Sequence, residues 1–482
     1  MRILLINPPF DYYSPHLLIK EPLSLAYLAG YLKKYNYKVG VVDAQAGNIS
    51  KKNNEWHYGL FDHEVIEKVK EFNPDLAGIT CPFSLRIDAT LQAARLVKRI
   101  NNKIITVVGG IHPTIFPLET VRNKEVDYVI MGEGEESFLS LIRHIESGNK
   151  FSEFNVDGCA YKNEQEAKLI PKNKFIEDLD TIPFPARELL PIDFYLQRPA
   201  ILYGLGKRRA ASVITSRGCP GNCAFCNMFQ THGRKWRGRS AQNVFEEIKI
   251  LLEKYQIEEV FFMDDNLTFD KGRMVELCRM ILDKGIKFRW NTPNGIAADC
   301  LDSDLVTLMK NAGCANICIG IESGNETVRN KIIGKGLSEE IIWNALRTCQ
   351  KAGLPVVGFF ILGIPGENEN RFKDTLRMVN KLPFSMVATS FFTPFPGTRL
   401  YEECICKRYI DKDYWSKIYR FNMPIVETPD FDKNRLRKWE KQIYYEFFKS
   451  HFWSLAFSTL SLRNDFFKWQ QIRRFIKDKF NF

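Results

Sequence analysis

The sequence predicts an α/β protein: an N-terminal doubly wound parallel sheet, then a partial six-stranded β/α barrel, then a mostly helical C-terminal region. Three observations predict it. Five apolar strand runs alternate with helix-period stretches over residues 1–150, the pattern of successive βαβ units. Six more β-α repeats lie between Ala211 and Pro396, too few to close an eight-fold barrel. Three cysteines follow the first strand of that second series, at the end of a barrel strand where chemistry belongs.

In the first series the strand runs are Ile3–Asn7, Lys38–Asp43, Leu76–Cys81, Ile104–Val108 and Tyr128–Met131. Helix-period stretches are Leu23–Lys34, Glu64–Phe72, Asp88–Ile100 and Ser137–Ile145. Ligands of such sheets bind beyond the carboxyl ends of the strands. The first strand closes with Asn7-Pro8-Pro9-Phe10 rather than G-x-G-x-x-G, which argues against a nicotinamide or flavin dinucleotide. The fourth closes with Gly109-Gly110-Ile111-His112, and the fifth with Gly132-Glu133-Gly134-Glu135. Glycines there let the backbone approach a large flat ligand; ordinary strand-to-helix turns are the alternative.

Residues 151–205 read as a linker, because Glu177–Pro185 is rich in acids and prolines. The barrel occupies 206–400. Its strand runs are Ser212–Thr215, Glu259–Met263, Phe288–Asn291, Asn316–Ile321, Val356–Leu362 and Val387–Phe392. Its helices are Ala241–Tyr255, Lys271–Asp283, Ser303–Asn311, Glu339–Lys351 and Arg371–Lys381. Polar or glycine punctuation follows successive strands: Asp264-Asp265-Asn266, Asn294-Gly295, Glu322-Ser323-Gly324, Gly363-Ile364-Pro365-Gly366 and Thr393–Thr398. Singly each is a capped turn; five in register mark one mouth.

Cys219, Cys223 and Cys226 stand in Arg217-Gly-Cys-Pro-Gly-Asn-Cys-Ala-Phe-Cys226. Three thiolates on one loop can hold three corners of a cubane cluster, which ordinarily takes four cysteines, leaving one iron open. Gly218, Pro220 and Gly221 supply the turn, and Phe225 can shield the cluster from water. Zinc with His232 as a further ligand, or plain structural cysteines, are the alternatives. Gly233–Ser240 is a basic run that reads either as a solvated loop with Ser240 capping the next helix or as an arginine clamp for a carboxylate or phosphate. Asp264 and Asp265 could act as an acid–base pair, a weaker reading than positioning of cofactor or substrate. Cys404 and Cys406 are close enough in sequence to suggest a second metal site, although spare cysteines in a helix or turn are the plainer reading.

The C-x3-C-x2-C run resembles the signature of the radical S-adenosylmethionine (radical SAM) superfamily. The resemblance implies a 4Fe-4S cluster on Cys219, Cys223 and Cys226. SAM would bind the open iron through its amino and carboxylate groups, and one electron would split it into methionine and a 5′-deoxyadenosyl radical. It implies that Glu322 contacts the SAM amino or ribose groups and that Gly363 and Pro365 line the adenine. Phe225 and Asp264 complete the implied SAM contacts.

Asn7-Pro8-Pro9, Pro22–Gly30, Gly109-Gly110-x-His112 and Gly132-Glu133-Gly134-Glu135 resemble the cobalamin-binding domain that precedes the radical SAM core in one large subfamily. The implied cobalamin contacts are Pro8, Pro9, Gly109, Gly110, His112, Gly132, Glu133 and Gly134. The D-x-H-x-x-G motif that supplies a cobalt-ligating histidine elsewhere is missing, since His16 follows Asp11 at the wrong spacing. Cobalamin without that lower ligand is therefore implied, with His112 against corrin side chains or backbone; cobalt ligation by His112 is the alternative. The chain resembles, over residues 1 to about 400, the cobalamin-dependent radical SAM enzymes that include anaerobic magnesium-protoporphyrin monomethyl ester cyclase and class B methyltransferases. Methyl transfer to an unactivated carbon or a phosphinate is the implied reaction. Ring formation or oxidation is the second reading, and a cobalamin-free barrel for sulfur insertion, or a non-enzymatic cluster-binding regulator, the third. The implied partners are a small-molecule substrate (a lipid, tetrapyrrole or natural-product intermediate) and an electron donor such as flavodoxin or ferredoxin.

Net charge is +11 over 482 residues, unevenly placed. Residues 1–150 hold 18 basic and 17 acidic side chains, whereas 431–482 hold twelve against five. That tail carries Trp439, Tyr444, Tyr445, Phe447, Phe448, Phe452, Trp453, Phe466, Phe467 and Trp469. A basic aromatic helix suits an anionic membrane surface; a helical cap with its aromatics facing the core is the favoured reading for 401–482. No nucleic-acid recognition module is visible, so no nucleic acid is expected. The twelve cysteines are scattered, with no signal peptide, which predicts a reducing, cytoplasmic, low-oxygen setting.

Overall fold

The computed structural model describes residues 1–13, 19–53, 55–148, 154–163, 166–196, 208–411, 414 and 423–460, of which 452–460 are described as backbone only. Two compact units emerge. Of the described residues, the first unit comprises those up to 196 with 228–233, and the second comprises 208–227 and those from 234 onward.

The first unit is a seven-stranded sheet of β1 (Arg2–Asn7), β2 (Lys38–Asp43), β3 (Leu76–Thr80), β4 (Ile105–Gly109), β5 (Tyr128–Ile130), β6 (Cys159–Asn163) and β7 (Glu166–Ile170). Its order is β7-β6-β5-β4-β3-β1-β2. The five predicted strands are mutually parallel, in the doubly wound order 2-1-3-4-5 whose switch point lies between β1 and β3. The central strands form because their apolar runs are buried on both sides: in β1, Ile3, Leu4, Leu5 and Ile6 are at most 1% exposed. Helices Leu23–Lys34 and Gly134–Ser147 pack together, and Asp62–Phe72 packs with Ile87–Ile100. Val65, Val69, Ala93, Ala94 and Val97 from the latter pair share one core with Leu4, Ile6, Ala77 and Ile79.

Two features were not foreseen. The stretch read as a linker supplies β6 and β7, an antiparallel pair added to β5. Its Cys159, Ala160, Tyr161, Ile176, Leu179 and Ile182 are buried, so its acid- and proline-rich composition concealed a set of anchoring apolar side chains. A small antiparallel sheet also joins Phe10–Tyr12, Ile49–Lys52 and Glu55–Tyr58, organised by the rings of Phe10, Tyr12 and Tyr58.

The second unit holds β8 (Ala210–Val213), β9 (Glu259–Phe262), β10 (Arg289–Ile296), β11 (Cys314–Glu322), β12 (Val356–Leu362) and β13 (Met386–Phe391). They lie side by side in chain order, all parallel, and β8 is not paired with β13. This is the expected open barrel. Ser240, Asp270, Asp302, Ser338 and Asn368 each accept a backbone N–H at the start of the five connecting helices, which explains where those helices begin.

Helix Lys433–Leu460 closes this unit. It buries Leu436, Trp439, Ile443, Tyr444 and Phe447. Trp439 stacks on Phe372 with centroids 4.6 Å apart, and the Tyr444 hydroxyl meets the Thr389 hydroxyl at 3.0 Å. The tail's aromatics are therefore core here, and Tyr445 alone stands well exposed among those described. The side chains of Phe452 and Trp453, and residues Phe466, Phe467 and Trp469, lie outside the described residues, as does His16. Among the described residues no helix is long and apolar enough to cross a membrane.

Candidate active site

The cysteine loop leaves β8 and is gripped at its root. Asp264, just past β9, is fully buried; its Oδ1 accepts the Thr215 amide (3.1 Å), the Thr215 hydroxyl (2.7 Å) and the Ser216 hydroxyl (2.6 Å). Burial pushes its carboxyl above the usual range, against the pull of Arg273 and these donors. Arg273 Nη1 in turn donates to the Thr215 carbonyl (3.2 Å) and hydroxyl (3.1 Å). Asp264 was expected among the SAM contacts; its Oδ1 is committed to the root of the loop, while its buried Oδ2 has no hydrogen-bond partner. The basic run that follows is mixed: Arg234 and Lys235 are exposed and Ser240 caps the next helix as one reading expected, while Arg237 and Arg239 are buried. Arg237–Gly238 pairs antiparallel with Ser216–Arg217, and Arg239 is buried against Glu247.

Gly218, at φ 82°, turns the chain into the loop. Cys219, Cys223 and Cys226 are half-buried and in no disulfide. A Cβ on Gly221 would stand 3.4 Å from the Cys219 sulfur and 4.0 Å from that of Cys223, so both sulfurs flank this glycine. Ala224, between two of the cysteines, is pinned from both sides. Its amide donates to the Ile333 carbonyl at 2.7 Å, and its carbonyl accepts from the Leu400 amide at 3.1 Å. Arg234 Nη1 holds the Gly221 carbonyl at 3.1 Å. Phe225 is half-buried in the same loop.

Burial pushes the Cys223 thiol up, Lys335 draws it down, and Glu322 and Cys219 push it up further. Among the described residues no three His, Cys, Asp or Glu side chains are grouped to hold a single metal ion. A cubane needs no such grouping, because each thiolate binds a different iron. The donor set fits a cluster with one iron left open. His232, the candidate zinc ligand, belongs to the first unit with residues 228–233.

Glu322 ends β11 in the left-handed region, φ 68°, after a register shift at Gly320. Its Oε1 accepts from Lys335 Nζ at 2.8 Å. A Cβ on Gly320 would stand 2.5 Å from Oε1 and 2.9 Å from Nζ, so the missing side chain makes room for the pair. Burial works against the Lys335 charge, but Glu322, Cys223 and Cys219 outweigh it and lift its pKa above the usual lysine value. Gly324 of the same E-S-G run serves packing: a Cβ there would be 2.4 Å from the Thr375 Cα. Sequence reasoning found Glu322 and missed Lys335, which sits in a loop thirteen residues on with two flanking glycines as its only mark.

Gly363 (φ 87°) donates its amide to the buried Glu367 at 2.8 Å, and Leu436 of the C-terminal helix occupies the space where a side chain would stand. Pro365 beside it is buried. Cys404 is buried and Cys406 exposed on one helix, so the two thiols lie in different surroundings.

At the carboxyl edge of the first unit, Asn7 Nδ2 donates to Asp43 Oδ1 (2.7 Å) and Gln45 Oε1 (3.2 Å). Arg86 donates to Gln45 (3.1 Å) and to the Pro8 carbonyl, while Tyr195 bonds Asp43. This buried network shapes the Asn7-Pro8-Pro9 turn. Asp43, Gln45, Arg86 and Tyr195 did not stand out in the sequence, because single polar residues at strand ends and in loops carry no pattern. Gly110 (φ 123°) is required by the chain itself, since a Cβ would lie 2.5 Å from the Cys81 carbonyl. Gly109 and Gly134 are open: a Cβ would meet only one atom each, at 3.6 and 3.8 Å. Gly132 (φ 63°) donates its amide to Thr114 Oγ1 at 2.9 Å. Glu133 is buried and accepts the Ile176 amide at 3.2 Å, so it ties down the 171–196 stretch rather than facing outward. His112 is buried, its Nδ1 3.0 Å from the Ser84 hydroxyl; burial holds its pKa down to about 4, which keeps the ring neutral. Open glycines and a neutral imidazole at the carboxyl edge of the parallel sheet suit a large, flat cofactor.

Family models match this chain twice: the radical SAM superfamily over residues 213–379 and a B12 binding domain over 18–142. An uncharacterized methyltransferase of Pyrococcus horikoshii is 31% identical over 93% of this chain and 92% of its own length. Cytidylyl-2-hydroxyethylphosphonate methyltransferase of Streptomyces wedmorensis is 30% identical over 89% and 86%. Among solved structures, the radical SAM methyltransferase TsrM of Kitasatospora setae, with cobalamin and a [4Fe-4S] cluster bound, superposes with a TM-score of 0.67 at 18% identity over 84% of this chain and 78% of that one.

Proposed function

We propose that this chain, which belongs to the cobalamin-binding branch of the radical SAM superfamily, transfers a methyl group from SAM to an unactivated carbon of a small-molecule substrate. Its cofactors are a 4Fe-4S cluster, SAM and cobalamin. The observation that carries the reading is the cysteine loop: three half-buried thiols, pinned through Ala224, beside one acid–base pair. Bound to this chain, the cofactors supply the electron that cleaves SAM to methionine and a 5′-deoxyadenosyl radical, and a carrier for the methyl group.

The chain's own residues hold and orient. Cys219, Cys223 and Cys226 ligate three irons. Asp264 keeps the loop's root in place through Thr215 and Ser216. Glu322 accepts a hydrogen bond from the SAM amino group, a charge-assisted contact. Phe225 limits water at the cluster. In the first unit, Pro8, Pro9, Gly109, Gly110, Gly132, Gly134 and His112 form the cobalamin contact, and His112 stays neutral against it. The electron comes from a flavodoxin- or ferredoxin-type donor, and the many free thiols support a reducing, cytoplasmic setting. The relatives at 30% identity or more carry a methyltransferase name, whereas a magnesium-protoporphyrin cyclase matches at 27%, and this supports methyl transfer over ring closure.

Cys219→Ala, Cys223→Ala and Cys226→Ala test the reading. Each should abolish 5′-deoxyadenosine formation in the anaerobically reconstituted protein while corrin absorption is retained. Cleavage that survives any of the three would remove the cluster assignment.

A further inference from the structure

We infer that the exposed rim of the cysteine loop is the docking surface for an acidic one-electron carrier protein, held by Arg234 and Lys235 on one side of the loop and by Lys331 and Arg399 on the other. The inference rests on the reading of the cysteine loop given above and assigns the face through which its electron arrives.

Three stretches build this face: 216–240, which holds the loop, 327–337 and 391–401. Together they carry nine Lys or Arg side chains and not one Asp or Glu. Each flank is fastened to the loop itself. On one flank Arg234 Nη1 donates to the Gly221 carbonyl at 3.1 Å, and Lys235 is the next residue. On the other, the Ala224 amide donates to the Ile333 carbonyl at 2.7 Å, and the Leu400 amide donates to the Ala224 carbonyl at 3.1 Å. A Cβ on Gly334 would stand 3.4 Å from the Asn222 carbonyl oxygen, so that stretch lies against the loop's tip. Arg399 Nη2 joins these two attachments by donating to the Ile332 carbonyl. Arg329, wholly buried, donates to the carbonyls of Ser323 (2.8 Å) and Leu337 (2.6 Å) and so fixes the 327–337 stretch.

The outward members of this assembly are charged. Pro220, Gly221 and Asn222 at the loop's tip are exposed, and so are Arg234, Lys235, Lys331 and Arg399. The remaining cations serve within: Arg217, Arg237, Arg239 and Arg329 are buried, and Lys335 bonds Glu322. Cations grouped on one face raise the local concentration of an acidic partner and steer its approach. An apolar spot adjoins them. Phe269 is 48% exposed, with its ring 5.5 Å from that of Trp236, the residue after Lys235. The Trp236 indole N–H is held by the Asn266 carbonyl at 2.9 Å. Asp270 beside Phe269 caps the next helix, and Glu402 lies one turn beyond Arg399, so acids stand at the border of the face. An aromatic spot rimmed by cations suits a small, transient interface, where charge guides the encounter and modest area permits release. The reduced carrier gives up one electron and is oxidised, and the cluster takes that electron; no bond forms or breaks.

The test is anaerobic, on protein with a full cluster, with two reductants: dithionite, and an acidic flavodoxin held in its reduced form. Lys235→Glu combined with Lys331→Glu should raise the Kd of oxidised flavodoxin, measured by calorimetry, by about tenfold or more. It should lower kcat/KM for flavodoxin-driven 5′-deoxyadenosine formation by a similar factor, chiefly through KM. Dithionite-driven formation should stay at the wild-type rate. The neutral pair Lys235→Gln with Lys331→Gln should show the smaller loss, and wild-type binding should weaken as salt is raised. The inference is overturned if the reversed pair binds flavodoxin as the wild type does, or if wild-type binding is insensitive to salt. It is overturned equally if the dithionite-driven rate falls by the same factor as the flavodoxin-driven one, which would make these lysines part of the loop's framework. A wild-type cluster that yields no 5′-deoxyadenosine with dithionite would instead refute the reading of the loop.

Discussion

Glu367 offers a quantitative test of the barrel's electrostatics. Its carboxyl is fully buried below the Gly363–Pro365 turn, with Oε2 accepting the Gly363 amide and Oε1 without a partner. Burial raises its pKa from 4.5 to about 7, against the pull of the Gly363 and Ile364 amides. A carboxyl raised on folding is favoured in its protonated form. Stability is therefore present below the unfolded pKa and is lost as pH rises through the folded one. At about 1.36 kcal/mol per pKa unit, the shift corresponds to roughly 3 kcal/mol, of which about 2.5 kcal/mol develops between about pH 5 and pH 8. Glu367→Gln keeps an acceptor for Gly363 and cannot ionise. Its buried amide adds an offset that is independent of pH, so the slope is the diagnostic. Urea unfolding of cofactor-free protein, followed by tryptophan fluorescence, should show the variant gaining about 2–3 kcal/mol on the wild type across that interval. A difference that stays flat would show that Glu367 ionises freely and that the turn is open to water.

Asp264→Ala should strip the acceptor from Thr215 and Ser216 and leave the Arg273 charge uncompensated, destabilising the second unit by about 3 kcal/mol or more; iron content after reconstitution should fall with it, although all three cysteines remain. Retention of full iron would show that the loop stands without that anchor. Trp439→Ala should cost about 3–5 kcal/mol, because the ring is 1% exposed and stacked on Phe372, and it should leave any binding to anionic vesicles unchanged. Normal stability with lost vesicle binding would return the helix to a membrane role.

Much of this fold can be read from periodicity. The central strands, β1 and β3 among them, are apolar runs buried on both faces, and each connecting helix of the barrel opens on a side chain that caps it. The cysteine loop and Glu322 are visible for the same reason: their spacing is local. What escaped depends on contacts distant in sequence. Asp264 and Glu133 carry motif-like positions, yet their hydrogen bonds go to Thr215 and Ile176, partners that only the folded chain brings near. Lys335 becomes meaningful because Gly320 is empty and Arg329 staples its loop, neither of which forms a pattern. The linker's strands carry too little apolar sequence to be read, with only Cys159, Ala160 and Tyr161 buried in β6 and none of Glu166–Ile170 fully buried in β7, and the pair is added to the edge of β5. The C-terminal aromatics suit a membrane or a core equally by composition. Trp439 and Tyr444 found partners in Phe372 and Thr389.

The most direct test of the central claim is one anaerobic incubation of protein reconstituted with iron, sulfide and cobalamin, given SAM labelled in its methyl group and a reductant, and read by visible spectrum and mass spectrometry. Retained corrin bands, 5′-deoxyadenosine and labelled methyl on the corrin are the predicted result. Deoxyadenosine with no retained corrin and no label transfer would contradict methyl transfer and leave only the radical barrel standing.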